Sequence, residues 1–239
     1  METSNVDRES LKELAVRGAL DWIGKNYDLS TDMRVGIGSG STVAYSFREF
    51  AKYPKITAIP TSENTSKKLI ERGVEVDELK DADDLEFDID GADEVDPELN
   101  LIKGGGGCHY REKIVAKKSK LLIIVVDQTK LVDYLGQTHP LPVEVDPETR
   151  NEARNLLSKY GKTSFRKSDG GLFRTDNSNV IIDVNLNETV DRKNLEKLER
   201  EINLVDGVVE NGFFVSRKAD LVFVGTEDGL RVIGDESDE

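Results

Sequence analysis

Three segments carry the residue types from which a reaction is built. Lys103-Gly104-Gly105-Gly106-Gly107 followed by Glu112 puts a cation, a flexible run of backbone donors and a carboxylate within ten residues. Four glycines in succession are costly in chain entropy, and a close backbone approach to a ligand explains them better than chance. Asp88-Ile89-Asp90-Gly91-Ala92-Asp93 crowds three carboxylates at a strand end; crowded carboxylates repel one another and spread their pKa values apart, as acid/base work requires. Gly36-Ile37-Gly38-Ser39-Gly40-Ser41-Thr42 gathers backbone N–H groups and hydroxyls where a strand turns into a helix, a place that suits a phosphate.

Each segment also has a plainer reading. The first loop is spaced GxGxG, the second strand ends in Thr61-Ser62 without the acidic residue that grips a ribose, and the lysine of a P-loop is missing. A glycine turn made for packing alone stays open. The acidic segment fits the first half of a calcium-binding EF-hand loop at Glu86, Asp88, Asp90 and Gly91, but Pro97 stands at position 12 and Phe87 and Ile89 alternate as in a strand. It also resembles the DxDG nucleophile loop of haloacid-dehalogenase-like phosphatases, which predicts Mg²⁺ dependence, and solvated loop charge is the bland alternative. Glu112 falls in the first turn of a helix, where dipole complementarity alone accounts for many carboxylates. Asp127-Gln128-Thr129-Lys130 closes a buried strand at the sheet edge where ligands bind in doubly wound folds. Cys108, His109 and His139 have no evident partner in sequence and are read as structural or incidental.

A sheet must hold these segments. Leu11, Leu14, Ala15, Gly18, Ala19, Trp22 and Ile23 recur at helical spacing and predict an amphipathic helix closing near Gly24. A strand from Arg34 breaks into the glycine loop, and Val43, Ala44, Phe47 and Phe50 continue at helical spacing. Lys55 to Pro60 predicts a second strand, Ser62 an N-cap, and Gly73 the stop of the helix before Val74-Glu75-Val76. Strands at Phe87 to Asp90 and Leu121 to Val126, with a helix from about Tyr110 to Lys118, extend the βαβαβ rhythm of a doubly wound, mostly parallel α/β sheet. From Leu141 the order becomes βαββαβ: a strand to Val145, helix Glu148 to Tyr160, strands near Thr163 and Val180 to Val184, helix Asp191 to Ile202, and a strand from Val208. That order predicts a smaller ferredoxin-like α+β domain, with Leu221 to Gly225 and Leu230 to Ile233 returning to the first sheet.

Composition removes several function classes. The chain has 239 residues, 37% of them apolar, enough for one large or two ordinary cored domains. Its 33 Lys and Arg against 47 Asp and Glu leave a formal charge of −14, which opposes nucleic-acid binding. No long apolar run exists and METSNVDRES is too polar for a signal peptide, so a cytoplasmic protein without membrane insertion is expected. One cysteine and two histidines allow neither an intramolecular disulfide nor a closed Cys/His zinc site.

As a set, VGIGSGSTV, PTSENT, DIDGADEVD, LIKGGGG, REKIVA, DQTKLVDYLG, PLPVEV, NVIIDV and GTEDGL resemble one family in order along nearly the whole chain: ribose-5-phosphate isomerase, type A. The resemblance implies an aldose–ketose isomerase of the pentose phosphate pathway, without metal or cofactor, acting on a small sugar phosphate as a homodimer or homotetramer. It implies a Rossmann-like catalytic domain over residues 1–132 and 209–239 and a ferredoxin-like lid and oligomerisation domain over 133–208. Carried onto this sequence, Glu112 is the general base, and Lys103 with backbone N–H groups of Gly104, Gly105 and Gly106 holds the enediolate charge. Asp90, Gly91 and Asp93 meet sugar hydroxyls, Asp90 also helping to open the ring. Lys12, Ser39, Gly40, Ser41 and Thr42 meet the phosphate and Lys130 the sugar end. Lys12, Lys103 and Lys130 are then expected in one locally positive pocket. The sequence departs from common members at Ser39, where threonine is frequent, and at Gly107-Cys108-His109, where small or aliphatic residues are usual. A sugar-phosphate sensor of related fold is the runner-up, but only some 34 residues precede the first strand, too few for a helix-turn-helix.

Overall fold

The computed structural model describes residues 7–81 and 84–234. Backbone contacts divide the chain into two compact units, one of residues 1–92, 114–130 and 219–239, the other of 93–113 and 131–218.

The first unit is built on a seven-stranded sheet in the order Gly229–Ile233, Leu221–Thr226, Ser119–Asp127, Leu85–Asp90, Met33–Ile37, Ile56–Pro60, Glu75–Val76. All neighbours pair in parallel except the edge strand Gly229–Ile233. Numbered along the chain this order is 3-2-1-4-5-6 with one antiparallel strand added, the Rossmann arrangement, and its switch point lies between Met33–Ile37 and Leu85–Asp90. The central strands are buried on both faces and read as apolar runs, Leu122 to Val126 being the longest. Helix Arg8–Asn26 lays Ala15, Val16, Ala19 and Ile23 onto the core formed with Val35, Phe87, Ile123 and Phe223. It runs past Gly24, the expected stop. Asn26 donates its side-chain amide back to the Trp22 carbonyl, one turn earlier, at 2.8 Å. Among the described residues no helix is long and apolar enough to cross a membrane.

The second unit holds a four-stranded antiparallel sheet in the order Val208–Asn211, Leu141–Val145, Val180–Leu186, Gly161–Phe165, with helices Arg150–Leu157 and Leu195–Asn203. This is the 4-1-3-2 order of a βαββαβ ferredoxin-like domain. A three-stranded antiparallel sheet, Phe213–Phe214, Leu101–Ile102 and Glu94–Val95, completes it. That small sheet explains why the units divide elsewhere than at residues 132 and 209. Segment 93–113 hydrogen-bonds to strand Phe213–Phe214, so it groups with 131–218 and carries Asp93, Lys103 and Glu112 into the second unit.

Candidate active site

In the first unit the glycine loop and the Asp90 carboxylate meet at the switch point. Gly38 donates its N–H to the Ile89 carbonyl at 2.9 Å, and a Cβ on Gly38 would overlap the Asp90 carboxylate. Asp90, fully buried, accepts from the N–H groups of Ser39 at 3.2 Å and Gly91 at 2.7 Å. The Ser39 hydroxyl lies 2.8 Å from those of Thr61 and Ser62, so it ties the loop to the end of the neighbouring strand. Gly40 and Ser41 are exposed and Thr42 half-buried. Lys12 donates to the Ser41 hydroxyl at 3.2 Å and pairs with Glu9 at 2.5 Å. Hydrogen bonds from Lys12 and Tyr45 hold the Glu9 carboxyl below its ordinary pKa. The expected helix after the loop is a 3₁₀ turn, Val43–Ser46, and a single α-turn, Phe47–Phe50, so backbone N–H groups, hydroxyls and Lys12 carry more of any anion binding than a macrodipole does.

Lys130 ends the 3₁₀ turn Gln128–Lys130 in the same unit. Buried Asp127 starts that turn by accepting from the Thr129 N–H at 3.0 Å, the Thr129 hydroxyl, and Arg8 Nε at 3.0 Å. Burial pushes the Asp127 pKa up, and these donors more than offset it, leaving the carboxyl below its ordinary value.

In the second unit the small sheet places Asp93 and Lys103. Asp93 donates its N–H to the Ile102 carbonyl at 2.8 Å, and Lys103 to that of Gly212 at 2.9 Å. The Lys103 ammonium lies 3.3 Å from Glu112 Oε2 and 5.5 Å from the Phe214 ring centre. Lys103 is 3% exposed and Glu112 5%. Glu112 sits between two anchored neighbours on helix His109–Lys118. Arg111 Nε donates to Asn177 Oδ1 at 3.0 Å, and Lys113 donates to Glu199 and Glu210 at 2.9 Å each and to the Asn211 carbonyl at 2.8 Å. A buried carboxylate next to a buried ammonium is equipped to take a proton while negative charge develops nearby.

The four glycines of the run are not equivalent. Gly104 and Gly107 have φ of +107° and +80°, and Cβ atoms there would come 2.5 Å from His109 Nδ1 and Phe173 Cε1. A Cβ on Gly105 would come 2.5 Å from Asp93 Oδ1, whereas Gly106 has nothing within 4 Å. Gly105→Ala is therefore expected to destabilise the second unit by about 1–3 kcal/mol, and Gly106→Ala to leave the unfolding midpoint unchanged. Thermal and urea unfolding of the two variants check this.

A family model described as ribose 5-phosphate isomerase A (phosphoriboisomerase A) matches residues 57–229. Ribose-5-phosphate isomerase A of Histophilus somni (strain 2336) is 40% identical over 233 residues, 96% of this chain and all of that protein. The Haemophilus influenzae (strain 86-028NP) protein of the same name is 40% identical over 226 residues, 93% of this chain and 97% of its own. The chain belongs to the ribose 5-phosphate isomerase A family. Among solved members, a D-ribose-5-phosphate isomerase in complex with phospho-erythronic acid superposes with a TM-score of 0.87 at 36% identity, covering 95% of this chain and 99% of its own. The Methanocaldococcus jannaschii isomerase A gives 0.85 at 36% identity over 96% and 100%.

Within this isomerase A fold, each unit gathers part of the candidate set. Lys12 and Ser39 to Thr42 with Asp90 and Gly91 group in the first unit, which also holds Lys130; Asp93, Lys103, Gly104 to Gly106 and Glu112 group in the second. Sequence reasoning missed the buried supports, because a charged residue reads as surface until its partners are known. Glu144 accepts from Thr175, Asn177 and Asn179 through Oε1, shaping the loop that holds Arg111. Glu94 accepts from the N–H groups of Gly136, Thr138 and His139 at 2.5–2.7 Å, and His139 Nε2 stands 3.8 Å from Asp93 Oδ1. His109, at the departure from the common family pattern, is fully buried under Gly104 with Nε2 3.3 Å from the Glu210 carbonyl.

Burial, then the nearby Lys113 charge, push the His109 pKa from 6.5 to about 3. The unfolded chain takes up a proton near pH 6.5 that the folded chain refuses, so stability falls as pH drops from about 6.5 towards 3, by up to about 1.4 kcal/mol per pH unit. His109→Leu is expected to lose less stability between pH 7 and pH 4.5 than the parent, as urea unfolding at the two pH values would show.

Proposed function

We propose that this chain is an aldose–ketose isomerase interconverting D-ribose 5-phosphate and D-ribulose 5-phosphate through a cis-enediolate, in the non-oxidative pentose phosphate pathway. The observation that carries the reading is the Lys103–Glu112 pair, 3.3 Å apart, buried and with the glycine run between its members in sequence. A protein that only senses a sugar phosphate gains nothing from burying a carboxylate against an ammonium, which costs several kcal/mol of desolvation per ion before any return. The family membership of the chain supports the same choice.

Glu112 takes the proton from C2 and returns it to C1. Lys103 and N–H groups of Gly104 to Gly106 stabilise the charge that collects on the enediolate oxygens. Asp90 assists ring opening, Asp90, Gly91 and Asp93 hold sugar hydroxyls, Lys12, Ser39, Gly40, Ser41 and Thr42 bind the phosphate, and Lys130 binds the sugar end. Lys12, Lys103 and Lys130 offset locally the field of a chain carrying −14 against a dianionic substrate. The chemistry uses the chain's own acids, bases and dipoles, with no metal or cofactor. The protein works in the cytoplasm as a homodimer or homotetramer.

Incubating the purified protein with ribose 5-phosphate in EDTA tests the reading. Enzyme-dependent formation of ribulose 5-phosphate is expected. A folded protein that binds the sugar phosphate and leaves it unchanged would favour the sensor.

A further inference from the structure

The glycine run is gripped by an arginine some sixty residues further along the chain. Arg166 follows strand Gly161–Phe165 and donates its own N–H to the Ile181 carbonyl at 2.9 Å. Its Nη1 donates to two successive carbonyls of the run, Gly104 at 2.6 Å and Gly105 at 2.9 Å. The rest of the guanidinium is committed to Asp183, Nε to Oδ2 at 3.1 Å and Nη2 to Oδ1. The Phe173 ring, which closes off Gly107, lies 6.0 Å from the guanidinium carbon. A planar fork tied at one edge to a carboxylate has little freedom left at the other, which a lysine in its place would retain.

In a trans peptide the N–H points opposite to the C=O. Fixing the carbonyls of Gly104 and Gly105 on the guanidinium therefore fixes the N–H groups of Gly105 and Gly106 on the far side. The first of these donates to Asp93 Oδ2 at 2.6 Å, so one cation sets both the direction of the Gly106 N–H and the place of the Asp93 carboxylate. The Gly107 N–H separately closes a turn on the Gly104 carbonyl at 2.9 Å.

We infer that Arg166, held by Asp183, is a positioning residue of the isomerase reaction: it locks two peptide planes of the glycine run so that a backbone donor and Asp93 stay set for the reacting end of the sugar. This rests on the isomerase reading. Donors fixed before the charge develops need no reorganisation when it does, and a misplacement of about 1 Å costs as much as a hundredfold in rate.

Arg166→Lys keeps the charge and breaks the fork; Asp183→Asn keeps Arg166 and loosens it. The inference expects kcat to fall about tenfold to a hundredfold in Arg166→Lys, and in the same direction but less in Asp183→Asn, with KM for ribose 5-phosphate within about twofold and circular dichroism unchanged. A binding arm does not depend on turnover. Phospho-erythronic acid, with a carboxylate at the reacting end and a phosphate at the other, should bind Arg166→Lys more weakly by a similar factor, while inorganic phosphate binds as to the parent. Two outcomes overturn the inference: kcat and phospho-erythronic acid affinity within twofold of the parent, or losses that match the fraction of unfolded protein in both variants. A parent protein that leaves ribose 5-phosphate unchanged yet shows the expected binding difference would reject the isomerase reading and retain Arg166 as the organiser of the glycine run.

Discussion

Glu112→Gln is expected to lower kcat by about 10²–10⁴-fold, the range that a positioned general base supplies. The amide nearly matches the carboxylate in shape and keeps an oxygen for the Lys103 ammonium, 3.3 Å away in the parent, so the second unit should fold as before. What the variant lacks is a group able to accept the C2 proton. Affinity for inorganic phosphate should be unchanged, because the groups proposed to bind it, Lys12 and Ser39 to Thr42, do not include Glu112. The split matters: a fall in kcat with phosphate affinity kept identifies an interaction made during the chemical step. Steady-state kinetics and calorimetry would supply both numbers. Activity within a few-fold of the parent would remove Glu112 from the proton transfer.

Lys113→Met should produce the largest loss of stability, about 3–5 kcal/mol. All three ammonium hydrogens have acceptors in the parent, from Glu199, Glu210 and the Asn211 carbonyl, and both lysine and Glu199 are almost wholly buried. Methionine fills much of the volume and leaves two carboxylates without their cation. In the parent, burial alone would raise the Glu210 pKa, but the Lys113 charge with hydrogen bonds from Lys113, Asn203 and the Asn211 N–H hold it below 4.5. Its contribution is thus present above pH 4.5 and lost as pH falls through the lower folded value. The gap between parent and variant should therefore be widest near pH 7 and shrink on acidification. Urea unfolding across that range measures it, and adding Glu199→Gln and Glu210→Gln to the variant should recover part of the loss. A gap below 1 kcal/mol at pH 7 would show the cluster to be solvated.

Much of the site could be read from the chain because its chemistry is local. Strand, glycine turn and carboxylate-ended strand announce themselves by apolar runs broken at Gly38 and Gly91, and the ferredoxin-like order follows from strands and helices long enough to show their periods. Segment 93–113 is less legible. Its strands Glu94–Val95 and Leu101–Ile102 are two residues each, and the outer partner of Leu101–Ile102, Phe213–Phe214, arrives more than a hundred residues later. Val43 to Phe50 has helical spacing, yet the Ser46 hydroxyl donates to the Val43 carbonyl at 2.7 Å within a tight 3₁₀ turn, a local bond that apolar periodicity does not register. Lys113, Glu144 and Arg166 become legible only once their distant partners are in place.

The most direct test of proton transfer by the chain's own base is isomerisation in D₂O, followed by NMR until the sugar pool has crossed the equilibrium many times. A carboxylate that exchanges its proton with solvent even occasionally will label every molecule, at C1 of ribulose 5-phosphate and C2 of ribose 5-phosphate, and that is the predicted result. Full equilibration with the original hydrogen retained throughout would mean a direct hydride shift, and would contradict the enediolate route on which the roles of Glu112 and Lys103 rest.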